Sequence, residues 1–499
     1  MRPVLSVAEM READAAATVP VSVLVQRAGR AVAGAAIEML GGAYGRRIVV
    51  VAGRGNNGAD GRAAAAVLER RGARVTVLDA GGANAGGPNA GGPHAGGANA
   101  GGLGADGLDA SGGGVDLVID AAYGTGFRGD YDAPGTGGAP VLAVDIPSGV
   151  HGDTGAARPN AVRALATVTM VALKPGLLVG DGPELAGKVT VADIGVPPGD
   201  PASHLVEDAD LAWLPSRPRS THKWTSAAWV VAGSPGMRGA PELCARAAQR
   251  AGAGMLHVGS PGLLASEHPP SEAVAVGLPS DGWDETVLAE LDRFKSLVVG
   301  PGLGRSEAAA AAVRRLVALG SVPTLVDADG LNVLGPADAV ASAVSERRAH
   351  AGAGEPAPVV LTPHDGEFAR LAGAPPGEDR LGAVRDLAAR TGAIVLLKGS
   401  TTVVADPAGT VLLAGAGDAR LATAGTGDVL SGVIGAFLAA GLPGLRAAAL
   451  GAHVHGRASQ HGPAVGLVAG DLPDLVPLVL SGPSDPPGAW LRGSIGRSA

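Results

Sequence analysis

The chain is poor in aromatic residues, cysteine and lysine. Phe, Tyr and Trp together make 2% of its 499 residues, so any core must be built from the Ala, Val and Leu that dominate the 46% hydrophobic fraction. One cysteine, Cys244, excludes an intrachain disulfide framework and a cysteine-based zinc site, and reads as a small core residue. Positive charge is scarce: Lys+Arg is 39 against 47 for Asp+Glu, a net −8. That balance gives no general attraction to nucleic acid or anionic membranes. Long apolar runs are missing as well. The longest, near Val429–Leu442, is interrupted by Ser431 and glycines and falls short of the about 20 residues of a membrane span. The N-terminus carries no apolar signal segment. The expectation is a cytoplasmic protein with neither nucleic acid nor membrane as partner.

What is abundant is glycine, 81 residues, far above the usual share of about 7%. Many fall between Ala80 and Gly114, a run of near five-residue repeats read as a flexible insertion. Elsewhere apolar runs of buried parallel-strand type alternate with Ala-rich helical stretches. Ser6 and Glu9 form a capping-box pattern, and a second helix is expected over Val21–Leu40. Strands are expected at Arg47–Ala52, Val75–Asp79, Val115–Asp120 and Val141–Ile146. A second series follows at Ala227–Ala232, Leu297–Val299, Thr324–Val326, Val359–Leu361 and Ile394–Leu397. This spacing predicts an α/β protein of two domains, 1–205 and 206–485, with a disordered tail over 486–499.

In the front half, Gly53-Arg-Gly55-Asn56-Asn57-Gly58-Ala59-Asp60 follows a strand and opens a helix. It contains G-x-G-x-x-G, and Asp79 ends the next strand, so an NAD-dependent dehydrogenase is one reading. The polar Asn56, Asn57 and Asp60 sit where a dehydrogenase would use glycines. Asp120 and Asp145 end two further strands. Ligands of open parallel sheets lie outside the carboxyl ends of strands, so these motifs converge on one crevice. Asn57, Asp120 and Ser148 offer oxygens suited to a hard cation. Backbone amides over Gly124–Asp130 suit a phosphate. Each motif alone reads equally as a turn or cap; their convergence favours a site.

The rear half holds Ala424-Gly425-Thr426-Gly427-Asp428 before a helix expected over Val429–Ala440. A helix N-terminus attracts phosphate, and Asp428 there can take a proton from an attacking hydroxyl or simply cap the helix. No G-x-x-x-x-G-K-[ST] occurs, which excludes a P-loop enzyme. Lys398-Gly-Ser-Thr-Thr402 offers a cation and hydroxyls, and Gly300-Pro-Gly302-Leu-Gly304 allows close backbone approach. The chain has five lysines, and Lys174, Lys223 and Lys398 all lie in these motif segments. His453-x-His455 reads as structural, since residues two apart on a helix point away from each other.

The front half resembles NAD(P)H-hydrate epimerases through GNNGADG (55–61), DAAYGTG (120–126), DIPSGV (145–150) and LKPGL (173–177). The rear half resembles ribokinase-fold proteins, and specifically NAD(P)H-hydrate dehydratases. The motifs are His222-Lys223, GSPGM (233–237), GPGLG, DADGLN (327–332), LTPHDGE (361–367), LKGSTT and AGTGDVLSG. The resemblance implies a Rossmann-like parallel sheet in front and a ribokinase-like α/β domain behind. It implies that hydrated NADH or NADPH is contacted by Asn56, Asn57, Gly58, Ala59 and Asp60, by Gly124, Thr125, Gly126, Phe127, Arg128, Gly129 and Asp130, and by Asp145. It implies potassium at Asn57, Asp120 and Ser148. In the rear it places the S-hydrate at Ala240, Gly304, His364 and Asp428, and the adenine nucleotide at Lys398, Gly399, Ser400, Thr401, Thr402 and Gly427. Asp145 is the candidate acid/base of epimerisation and Lys174 a weaker one; ring opening and reclosure is an equal route. Asp428 is the catalytic base of a dehydration driven by ADP or ATP with Mg2+. The resemblance favours ADP. A homo-oligomer is expected from faces of small apolar residues. Ala59 stands where the family usually has Gly, and Trp224 and Pro241 depart from smaller residues. Alternatives are a small-metabolite kinase and a non-catalytic front domain.

Overall fold

A computed structural model of the chain describes residues 1–80, 114–126, 131, 133–268, 271–352 and 354–481. The expected insertion, apart from its end residues, and the expected tail lie outside them. The chain divides into two compact units, 2–202 and 203 onward.

The front unit runs β1 (Arg2–Val4), α1 (Val7–Ala16), α2 (Val21–Leu40), β2 (Arg47–Ala52), α3 (Asn56–Arg70) and β3 (Arg74–Asp79). It continues with β4 (Leu117–Ala121), β5 (Val141–Val144), β6 (Ala166–Met170), α4 (Gly182–Ala186) and β7 (Lys188–Ala192). The sheet β3-β2-β4-β5-β6-β7 is parallel throughout. Chain order reverses between β2 and β4, so the carboxyl ends of these two strands open the crevice where such folds take ligands. The Ser6 capping box forms as the sequence predicts. Helices α2 and α3 cover one face over a core of Val32, Ile48, Val50, Leu68, Leu117 and Ile119. A Cβ at Gly58 would strike the Gly53 carbonyl, so this turn can close on the first coil of α3 only with glycine there.

The rear unit begins with β8 (Ser203–Leu205), β9 (Ala227–Val231), α5 (Gly239–Arg250), β10 (Met255–Pro261), β11 (Val274–Leu278) and α6 (Trp283–Glu290). Next come β12 (Ser296–Val299), α7 (Glu307–Leu319), β13 (Thr324–Val326), α8 (Asp329–Leu334), α9 (Ala337–Ala351) and β14 (Val359–Leu361). The chain closes with α10 (Asp365–Ala372), α11 (Arg380–Thr391), β15 (Ile394–Leu397), β16 (Thr402–Ala405), β17 (Val411–Ala414), α12 (Thr426–Ala439), α13 (Gly444–His461) and α14 (Leu472–Leu480). The strand order β8-β17-β16-β15-β14-β13-β12-β9-β10-β11 is parallel except where β16 pairs β15 and β17. Its switch point lies between β9 and β12.

Helix α12 is the centre of this unit, with every residue from Val429 to Ala439 buried. Each of Val429, Leu430, Val433, Ile434, Phe437 and Leu438 contributes roughly 1.5–3 kcal/mol of burial. Cys244 lies in the same core, fully buried. The helix starts at Thr426, three residues earlier than the sequence pattern predicts, with Gly425 as N-cap at φ 91°. Asp428 is therefore inside the first turn. It does not cap the helix, and Gly425 has no side chain to do so.

Candidate functional sites

At the end of β5 the backbone makes a three-residue turn in which Ile146 N donates to Val144 O and the central residue, Asp145, has φ 70°. The same turn recurs at the end of β6, with Val171 at φ 68° and Ala172 N bonded to Met170 O. Positive φ at a non-glycine is strained, more so at β-branched Val171. Strain of this kind gathers at functional sites. The two turns bring Asp145 to Lys174. The Lys174 ammonium lies 2.7 Å from Asp145 Oδ1 and donates to Thr169 Oγ1 and Met170 O, both at 2.8 Å. Its three protons are thus directed at Asp145, Thr169 and Met170, and 1% of its side chain is exposed. Burial pushes the Asp145 carboxyl up, but Lys174 and bonds from Thr125 N and Thr169 outweigh it, and its pKa falls below the ordinary value.

Asp120 sits at the end of β4, 2% exposed, accepting from Ser148 N at 2.8 Å and Ser148 Oγ at 2.7 Å. Burial raises it to about 6 against those bonds. The intervening loop joins the two pairs: Tyr123 N donates to Ser148 Oγ, Thr125 N to Asp145 Oδ2, and Gly124 lies against both Asp145 and the Asn57 amide. Both amide atoms of Asn57 are buried without a partner. A buried amide oxygen without a partner is a donor that a hard cation could use. Asp79, the acid of the dinucleotide fingerprint, pairs with Arg62. Phe127, Arg128, Gly129 and Asp130 lie outside the described residues.

Asp60, 9% exposed, is raised to about 7 by burial and by the charges of Asp145 and Asp14. A carboxyl whose folded pKa is raised contributes stability below its unfolded value, and that contribution is lost as pH rises towards about 7. Asp60→Asn removes the penalty of a buried charge. In calorimetry of the full chain the transition it moves should rise by a few degrees at pH 8 and by less at pH 5. An equal shift at both pH values would refute the assignment.

In the rear unit, β9, β12, β13, β14 and β15 all carry motifs at their carboxyl ends. Asp428 is raised to about 6 by burial and by the charge of Asp327, with Lys398 opposing. Lys398 Nζ pairs with Asp327 Oδ1 at 2.7 Å and lies 3.9 Å from Glu367. Burial lowers its pKa, yet these carboxylates win and raise it. A Cβ built on Gly427 would lie 3.6 Å from Lys398 Nζ, so Lys398 and the α12 turn meet. Gly399 and Ser400 are exposed, Thr401 is buried and Thr402 opens β16. Gly302 faces Ala240 and Gly304 N donates to Asp329.

The structure gives each remaining motif residue of the rear half a definite place. Lys223 and Trp224 precede β9 at its amino end, the opposite edge of the sheet from the motifs; Trp224 stacks there edge-on to Phe294 and His257 under Arg293. Pro241 lies in the first turn of α5, where a missing N–H costs nothing, and packs on Gly233. His364 caps α10, its Nδ1 accepting from Gly366 N and Glu367 N, with 56% of its side chain still exposed. His453 bonds Asp208 at 2.8 Å, as a structural histidine would. Asp327, Glu367 and Ser431 join the rear cluster; in the sequence they stood inside the DADGLN, LTPHDGE and AGTGDVLSG motifs without a role of their own.

A family model described as NAD(P)H-hydrate dehydratase matches residues 228–476, and one described as YjeF-related protein N-terminus matches 21–176. Bifunctional NAD(P)H-hydrate repair enzymes Nnr are similar over nearly the whole chain. That of Mycobacterium leprae is 41% identical over 92% of this chain and 94% of its own, and that of Salinibacter ruber 36% over 96% of each. The chain belongs to this family. A crystal structure of the ADP/ATP-dependent NAD(P)H-hydrate dehydratase of Bacillus subtilis with ATP/Mg2+ is 30% identical, at TM-score 0.47, over 55% of this chain and 96% of that one. The YjeF-related model reaches as far as Lys174, and the dehydratase model spans Ala240 to Asp428.

Proposed function

We propose that the chain restores hydrated NADH and NADPH, its front unit interconverting the R and S hydrates and its rear unit dehydrating the S form with ADP. Asp428 carries the rear reading. It stands in the first turn of α12, where backbone amides and the helix dipole favour phosphate, and its pKa of about 6 leaves it ionised yet basic at neutral pH. Asp428 takes the proton of the C6 hydroxyl, and that oxygen attacks the terminal phosphoryl of ADP with AMP leaving. The C6–O bond then breaks, phosphate departs, and the ring nitrogen lone pair forms the iminium. Loss of a C5 proton restores the dihydropyridine. Ala240, Gly304 and His364 border the hydrate, and Lys398, Gly399, Ser400, Thr401, Thr402 and Gly427 the nucleotide. Mg2+, carried by the nucleotide, would neutralise the charge of its phosphates.

In front, Asp145 is the acid/base at the hydroxyl. Asn56, Asn57, Gly58, Ala59 and Asp60 and the segment Gly124, Thr125 and Gly126 border the nucleotide. Asn57, Asp120 and Ser148 would hold K+, which supplies fixed positive charge beside this turn.

The test follows absorbance at 340 nm with mixed hydrates, Mg2+, K+ and either ADP or ATP. Full recovery of NADH, faster with ADP, is expected. Recovery of the S share alone would make the front unit a non-catalytic domain. No recovery, with nucleotide consumed on another alcohol, would make the rear unit a kinase.

A further inference from the structure

Asp327 has no role in the steps above, yet both its carboxylate oxygens are engaged by side chains of the rear site. It directly follows β13 with 1% of the residue exposed, and is itself followed by Ala328 at φ 51°. Its Oδ1 accepts from Lys398 Nζ at 2.7 Å, across from the end of β15. Its Oδ2 accepts from Ser431 Oγ at 2.7 Å, one turn after Asp428 on α12. A buried ion pair is a poor source of stability, since apolar residues of the same volume serve as well or better. Three elements nonetheless meet here through one carboxylate, and the group they fix is the ammonium facing Gly427.

We propose that Asp327 is a positioning residue for dehydration: it holds the Lys398 ammonium against the α12 turn, and its own charge acts on Asp428. The proposal rests on the dehydratase reading. The groups facing Asp428 and Lys398 are Asp327 from β13, Glu367 from α10, Cys244 from α5 and His455 from α13. Of these, His455 is neutral at working pH, lowered by burial to about 4, and burial holds Cys244 protonated. Glu367 acts on Lys398 rather than on Asp428. Asp327 is thus the anion that raises Asp428.

Asp327→Asn keeps the shape and removes the charge. In the full chain the acid limb of the pH profile for ADP-dependent NADH recovery should move down by about one unit. KM for ADP should rise about tenfold as Lys398 loses its partner. A purely structural carboxylate would not move the acid limb. A folded Asp327→Asn chain with an unmoved acid limb and wild-type KM overturns the proposal. If that variant does not fold, Ser431→Ala carries the test, since it frees one Asp327 oxygen and leaves the charge. The expected result is a KM for ADP raised about threefold in a chain that still folds, and an unchanged KM overturns it. A wild-type chain without ADP-dependent recovery would instead defeat the dehydratase reading itself.

Discussion

Asp428→Asn should abolish dehydration while leaving epimer exchange at the wild-type rate. A positioned general base is worth about 10²–10⁴ in rate, and the uncharged amide cannot take the C6 hydroxyl proton. A loss of about a thousandfold corresponds to about 4 kcal/mol of barrier. The wild-type rate itself should fall about tenfold per pH unit below a pH of about 6, where Asp428 becomes protonated. That limb should be missing from the residual activity of the variant. The substitution costs little stability, because it removes a charge that burial and Asp327 already oppose. The decisive comparison is NADH recovery at 340 nm beside epimer exchange followed by chromatography. A variant keeping more than about a tenth of kcat would reduce Asp428 to a substrate contact.

The frame around Asp428 was legible because buried parallel strands print themselves as apolar runs. Thr324–Val326, Val359–Leu361 and Ile394–Leu397 coincide with their predicted limits. Strands that mix polar residues were not seen: Ala166–Met170 and Lys188–Ala192 carry Thr and Lys, and Val411–Ala414 follows a turn with little contrast. Glycines on both sides of Thr426 pushed the predicted start of the last core helix too far along the chain. Proximity was harder still. Ser431 lies 104 residues from Asp327, and only the fold closes that distance. Lys223 shows the converse error, a rare cation beside a strand but at its wrong end, because periodicity gives a strand no direction towards a site. The strained turns at Asp145 and Val171 had no signature, since positive φ at a β-branched residue runs against local preference.

Lys174→Met should cost the front unit both its activity and about 3–5 kcal/mol of stability. The long apolar side chain fills the space, so the loss comes from Asp145, left buried without its cation. Wild-type Asp145 has a lowered folded pKa, so its contribution is present above the unfolded value and disappears as pH falls through the folded one. Burial is the largest single influence on this carboxyl, and without Lys174 to outweigh it, it pushes the pKa up instead. The stability deficit of the variant should therefore shrink as pH is lowered and the carboxyl takes a proton. Asp145→Asn added to Lys174→Met should restore much of the stability and none of the epimerisation, because the double variant buries no unpaired charge and has no base. Urea unfolding of the full chain at two pH values, paired with epimer exchange, separates the two effects. If the single and double variants unfold alike, the pair is not what holds the β5 and β6 turns together. If Lys174→Met still exchanges epimers at more than about a tenth of the wild-type rate, Asp145 does its chemistry without the lysine.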